Sequence, residues 1–142
     1  MPKPNTPLIA VDAVILLNNK KDLVLIRRKN PPYKGELALP GGFVVIGETV
    51  EEACIREAFE ETNINIKLVR LIGVFSDPKR DPRGHTVSIA YLCEPSTNNE
   101  DPKAKDDAAV LEIINYSKIN SLKLAFDHKN IIKSLRFLNG FK

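Results

Sequence analysis

The chain has 142 residues and a mass of 15.9 kDa; 43% of its residues are hydrophobic and 27% charged. This length gives a single domain, 1–142, able to bury a core without a disulfide or a structural metal. No apolar run is long enough to cross a bilayer, Met1–Thr6 has no charged-then-apolar leader, and a net charge of +3 does not by itself argue for nucleic acid. The expected setting is cytoplasmic, with no membrane and no nucleic-acid partner. Cys54 and Cys93 sit in apolar contexts without metal-type spacing and read as reduced core residues.

In chain order, Leu8–Leu17 is a strand-like apolar run broken only by Asp12, and Leu23–Arg28 follows it across the polar loop 18–22. Leu37–Leu39 is a short extended piece ahead of Pro40-Gly41-Gly42. A helix is predicted from Thr49, an N-cap with Glu52 three residues on, to Thr62-Asn63, where Asn suits a left-handed C-terminal position. Two further strands, Asn65–Ser76 and Thr86–Cys93, flank a polar loop rich in Pro, Asp and Arg. A last strand is predicted over Val110–Ile114. The last helix starts after Asp127, an N-cap candidate, with Ile131, Ile132, Leu135 and Leu138 at helical spacing and Gly140 as its stop. Strands in hairpins with one helix in the middle and one at the end define an α/β fold, a mixed β-sheet between helices.

Residues 48–61 hold six carboxylates and one arginine, an acidic island on a basic chain. On the predicted helix Glu57, Glu60 and Glu61 lie at i, i+3 and i+4, in one arc with Val50, Ala53 and Cys54. Carboxylates interleaved with a core-facing stripe cost free energy unless a cation compensates them. A hard divalent cation suits oxygen ligands of this kind; a solvated acidic helix face is the alternative. Pro40-Gly41-Gly42 offers backbone that a ligand can approach closely, just ahead of the helix N-terminus.

Gly42, Glu48 six residues on, and Arg56-Glu57-Ala58-Phe59-Glu60-Glu61-Thr62-Asn63-Ile64 together resemble the Nudix box, the signature of hydrolases of nucleoside diphosphates linked to another moiety. Asn63 departs from the family's usual Gly, and Asn tolerates the same left-handed conformation. The resemblance implies an α/β/α sandwich and divalent-metal-dependent cleavage of a pyrophosphate by water, with Mg²⁺ as the cofactor and Mn²⁺ as a substitute. It implies Glu57 and Glu61 as principal metal ligands, Glu60 as ligand or helper, and the Gly41 carbonyl as a backbone ligand. Arg56 becomes a residue that orients carboxylates, Glu48 among them.

The segments 27–35, 75–85 and 124–128 are similar to the ADP-ribose pyrophosphatase branch, implying ADP-ribose as a small-molecule substrate, split to AMP and ribose 5-phosphate. Substrate contacts are then expected from Arg27, Arg28, Gly42 and Arg80, with Lys34, Lys79 and Arg83 also available. Tyr33, Phe75 and Phe126 are candidates to stack on adenine, though each reads more readily as core than as a ligand contact. His85 and His128 are left without a role. The branch carries a Glu where this chain has Val110, which moves the general base elsewhere, to a late acid such as Asp106 or Glu112, or into the box at Glu60. Glu100, Asp101 and Asp107 are also available. Relatives that share substrate contacts across a homodimer suggest the same assembly here.

Overall fold

A computed structural model of the protein describes residues 2–98, 100–103 and 108–137, of which 108, 109, 136 and 137 are described in backbone only. Seven strands form a mixed sheet: β1 (Leu8–Leu17), β2 (Asp22–Arg28), β3 (Leu37–Ala38), β4 (Gly41–Phe43), β5 (Ile66–Phe75), β6 (Thr86–Pro95) and β7 (Ala108–Asn115). The main order is β3-β2-β1-β6-β5, with β4 added to β1 and β7 to β2. β1 runs parallel to β6, and the other pairings are antiparallel. The helices are α1 (Val50–Thr62) and α2 (His128–Lys133), with 3₁₀ turns at Tyr116–Ser121 and Ser134–Phe137.

β1 is apolar almost throughout because both of its faces are covered. Val11, Ala13 and Ile15 pack with Ala53, Cys54 and Ala58 of α1. Val14 and Leu16 pack on the opposite face with Ile131 and Ile132 of α2. This is the α/β/α sandwich expected from the sequence. Cys54 and Cys93 are free, buried thiols in the α1-side core.

The capping box at Thr49 forms in both directions: Thr49 Oγ1 accepts from Glu52 N at 3.0 Å, and Glu52 Oε1 accepts from Thr49 N at 2.8 Å. Asn63 ends α1 at φ +63°. Three expectations change. Gly41-Gly42 lie in a short strand, not a free loop, because β4 finds β1 as a partner. The last helix is α for only six residues before tightening to 3₁₀. Asp127 precedes it, but its carboxylate makes no cap and turns to Arg80 instead. Leu138, Gly140, Asp106 and Asp107 lie outside the described residues.

Candidate active site

The acidic face of α1 meets the end of β4. Arg56 is the hub. Its Nη1 donates to Glu57 Oε1 at 2.7 Å and to Glu60 Oε1 at 2.9 Å, and its Nη2 donates to Glu48 Oε1 at 2.7 Å and to the Phe43 carbonyl at 3.1 Å. One guanidinium thus spaces three carboxylates that would otherwise repel. The hydrogen bond from Arg56, aided by the Val45 N–H, holds the Glu48 carboxyl down at about 2. Glu48 is therefore ionised throughout pH 5–9, and what it adds to the site is lost only as pH falls from its ordinary value toward about 2. A pH–rate profile will show no limb from Glu48 within pH 5–9; a limb there that disappears in Glu48→Gln would overturn this.

Glu61 is nearly buried, and its Oε1 accepts from Gly41 N at 2.8 Å. Gly42 is the point of closest approach: a Cβ there would stand 1.7 Å from Glu57 Oε2. A side chain at 42 therefore cannot coexist with Glu57 in this position. Gly42→Ala is expected to displace Glu57 and lower kcat by about 100-fold or more while leaving the fold intact, since a misplacement of about 1 Å can cost that much. Steady-state kinetics with a thermal melt will check it, and near-wild-type kcat would contradict the close approach.

A cleft opens beside this face, lined by Asp12, Gly41, Gly42 and Phe43 together with Arg28, Arg83, Phe126 and His128. Phe126 adopts φ +53°, a conformation side chains rarely take, and its ring meets Tyr33 edge-on at 4.8 Å. Arg28 places its guanidinium carbon 5.0 Å from the Phe126 ring centroid.

Beneath the cleft lies a buried polar network that the sequence signalled only through Asp12, the single charge in a ten-residue apolar run. Ser88 of β6 donates to Asp12 Oδ2, and His128 Nε2 lies 3.2 Å from Asp12 Oδ1. His128 Nδ1 accepts from Leu39 N at 2.9 Å, which puts the ring hydrogen on Nε2, facing Asp12. Arg80 closes the network, 3.7 Å from Asp12 and 2.6 Å from Asp127. Burial pushes the Asp12 carboxyl up, but His128, Ser88 and Arg80 together outweigh it and lower it below the usual range.

Among the expected substrate contacts, Arg28 and Gly42 line the cleft. Arg80 is on its floor with a side chain only 5% exposed, its Nε and Nη2 both taken by Asp127. Arg27 pairs instead with Glu112 and the Gly35 carbonyl. Glu112 stands opposite Leu25, on the sheet face that packs toward α2 and away from α1. Glu100 is occupied at the far end of α1, accepting from Asn65 N and Thr97. Phe75 packs on the α2-side core, and His85 contacts the Ser76 carbonyl at the surface.

No three carboxylates, imidazoles or thiols among the described residues are gathered closely enough by themselves to hold a metal ion. The donors are all oxygens on an open face, with glycine backbone beside them. That suits a hard divalent cation, which takes one or two carboxylates and keeps waters and phosphate oxygens, and not a sequestered structural ion.

A NUDIX domain model matches residues 6–135, so the chain belongs to the Nudix family, whose hydrolases use divalent metal ions. It is 50% identical over 135 residues to the ADP-ribose pyrophosphatase of Methanocaldococcus jannaschii, covering 94% of this chain and 76% of that protein. A bifunctional NMN adenylyltransferase/ADP ribose pyrophosphatase from Francisella tularensis, solved with AMP and a Mn ion, superposes with a TM-score of 0.80 at 35% identity. The match covers 93% of this chain but only 42% of that one. The Nudix domain of Shewanella oneidensis NrtR, solved with ADP ribose, gives a TM-score of 0.80 at 25% identity, covering 94% and 88%.

Proposed function

We propose that this protein hydrolyses the diphosphate of ADP-ribose with Mg²⁺, giving AMP and ribose 5-phosphate. The observation that carries this is Glu57 pressed against Gly42, at the edge where the carboxylate face meets a cleft lined by arginines and aromatic rings. The 50% identity to an ADP-ribose pyrophosphatase supports the choice of substrate.

In this reading Glu57, Glu61 and the Gly41 carbonyl would hold the cation, with Glu60 as a further ligand or helper. When bound, the cation neutralises the diphosphate and makes water a stronger acid. Arg56 keeps Glu48, Glu57 and Glu60 apart and oriented. The Glu61–Gly41 hydrogen bond fixes the glycine backbone against α1. Arg28 faces the substrate's negative charge. Water adds to one phosphorus, the bridging P–O bond breaks, and each product leaves as a phosphate monoester.

Among the described residues no helix is long and apolar enough to cross a membrane, and we place the protein in the cytoplasm. A homodimer is the assembly we favour, supported by the edge strand β5, which exposes Val69, Leu71 and Val74.

The test is a panel of ADP-ribose, other nucleotide sugars and nucleoside triphosphates, assayed with Mg²⁺, with Mn²⁺ and with EDTA. ADP-ribose should be preferred, and EDTA should abolish turnover. Preferential turnover of a triphosphate would move the substrate elsewhere in the family; tight ADP-ribose binding without product would make the domain a sensor.

A further inference from the structure

The loop between β5 and β6 carries two arginines three residues apart, and the structure gives them opposite situations. Arg80 is buried and bound bidentately to Asp127. Arg83 has a side chain 47% exposed at the cleft. Its Nε donates to Asp81 Oδ1 at 3.1 Å and its Nη2 to Asp81 Oδ2 at 2.8 Å. Asp81 itself is almost fully buried, and its Oδ1 also accepts the Arg83 backbone N–H at 2.9 Å. A carboxylate fixed in the protein thus sets the direction of a guanidinium that reaches into the cleft.

The guanidinium carbon lies 5.5 Å from the Phe43 ring centroid and 5.7 Å from that of Phe126. The two rings hold the cation between them, so ring stacking is not what Arg83 has left to offer. Asp81 uses two of the five N–H donors. The Nη1 pair and the second Nη2 hydrogen have no acceptor among the described residues. Planar, fixed, charged donors of this kind match the oxygens of a phosphate. Phe43 directly follows Gly42, which packs against Glu57, so this edge of the cleft adjoins the carboxylate face.

We propose that Arg83 is the arginine that grips the substrate's diphosphate, with Asp81 as its positioning residue and Arg80 as the buried strut that anchors their loop. The assignment rests on reading the cleft as a nucleoside-diphosphate site. Holding the arginine in place beforehand means less side-chain entropy is lost on binding.

Two probes test it by calorimetry in EDTA, with ADP-ribose and with inorganic pyrophosphate, which shares only the diphosphate. Arg83→Gln should weaken both by about tenfold or more, the loss expected for one charge-assisted hydrogen bond. In the Mg²⁺ assay KM for ADP-ribose should rise by a similar factor, with kcat within about threefold. Arg83→Lys should recover part of the affinity, and Asp81→Asn should raise KM by less than Arg83→Gln does. A melting curve on each variant confirms the fold.

Unchanged pyrophosphate affinity in Arg83→Gln overturns the proposal, whether or not ADP-ribose weakens, because Arg83 would then read another part of the ligand or none. A wild-type chain that binds pyrophosphate but not ADP-ribose overturns the substrate reading instead. In that case weaker pyrophosphate binding by Arg83→Gln still supports the role of Arg83.

Discussion

Glu57→Gln or Glu61→Gln should lower kcat for ADP-ribose by about two to three orders of magnitude, the effect of losing several kcal/mol of charge stabilisation at a metal-assisted centre. Both substitutions keep shape and remove charge. An amide in place of the Glu61 carboxylate can still present an oxygen to the Gly41 N–H, and one in place of the Glu57 carboxylate can still accept from Arg56 Nη1. The local hydrogen bonds seen at these positions therefore survive. Removing one of several adjacent carboxylates also relieves repulsion. Melting temperatures should stay within a few degrees while activity collapses. The measurement is kcat at saturating Mg²⁺ and substrate, paired with a calorimetric titration of Mn²⁺ into each variant. Wild-type rates in both variants would refute the assignment of this face.

The second large effect is on stability. Asp12→Ala removes the acceptor shared by Ser88 and His128 and a counter-charge to Arg80, all inside the α2-side half of the sandwich. Breaking a buried charged cluster from one side costs about 3–5 kcal/mol, because the remaining partners stay desolvated. For a domain of this size that is a drop in Tm on the order of 10 °C or more. Asp12→Asn keeps an acceptor oxygen and should cost less. Arg80→Met should also be costly, leaving the Asp127 carboxylate without its bidentate partner. Thermal melts at neutral pH read all three; an Asp12→Ala protein that melts with the wild type would mean the network contributes nothing to stability.

The box was legible because its geometry is local. Thr49 and Glu52 close a capping box three residues apart, Glu57, Glu60 and Glu61 share a face through helical periodicity, and Asn63 ends the helix as its left-handed preference allows. The resemblance gave Arg56 the role of orienting carboxylates, and its carboxylate partners lie within one helix turn or in the loop just before it. The Gly42 contact with Glu57 was half visible: the sequence showed glycine where a ligand could approach, and the fold placed a carboxylate there.

What stayed hidden depended on residues far apart in the chain. His128 and Leu39 are 89 positions apart, and Ser88 and Asp12 are 76 apart. No periodicity links them; β1 lying parallel to β6, with α2 laid across them, brings them together. The same holds for the loop arginines. Arg80 and Arg83 are alike in sequence, and only burial against Asp127 or exposure beside Phe43 separates an anchor from a ligand-facing group. Glu112, an open candidate for the base, is removed from the carboxylate face by strand register, which puts it beside Leu25 across the sheet.

The sequence by itself therefore determined the family, the sandwich and the acidic helix face, since each rests on spacing within a few residues or on strand and helix patterns. Tertiary structure alone decided which polar residues face the cleft and which brace it from beneath. Burial and pairing are set by whatever the folded chain brings alongside, and a side chain's own identity does not contain that information.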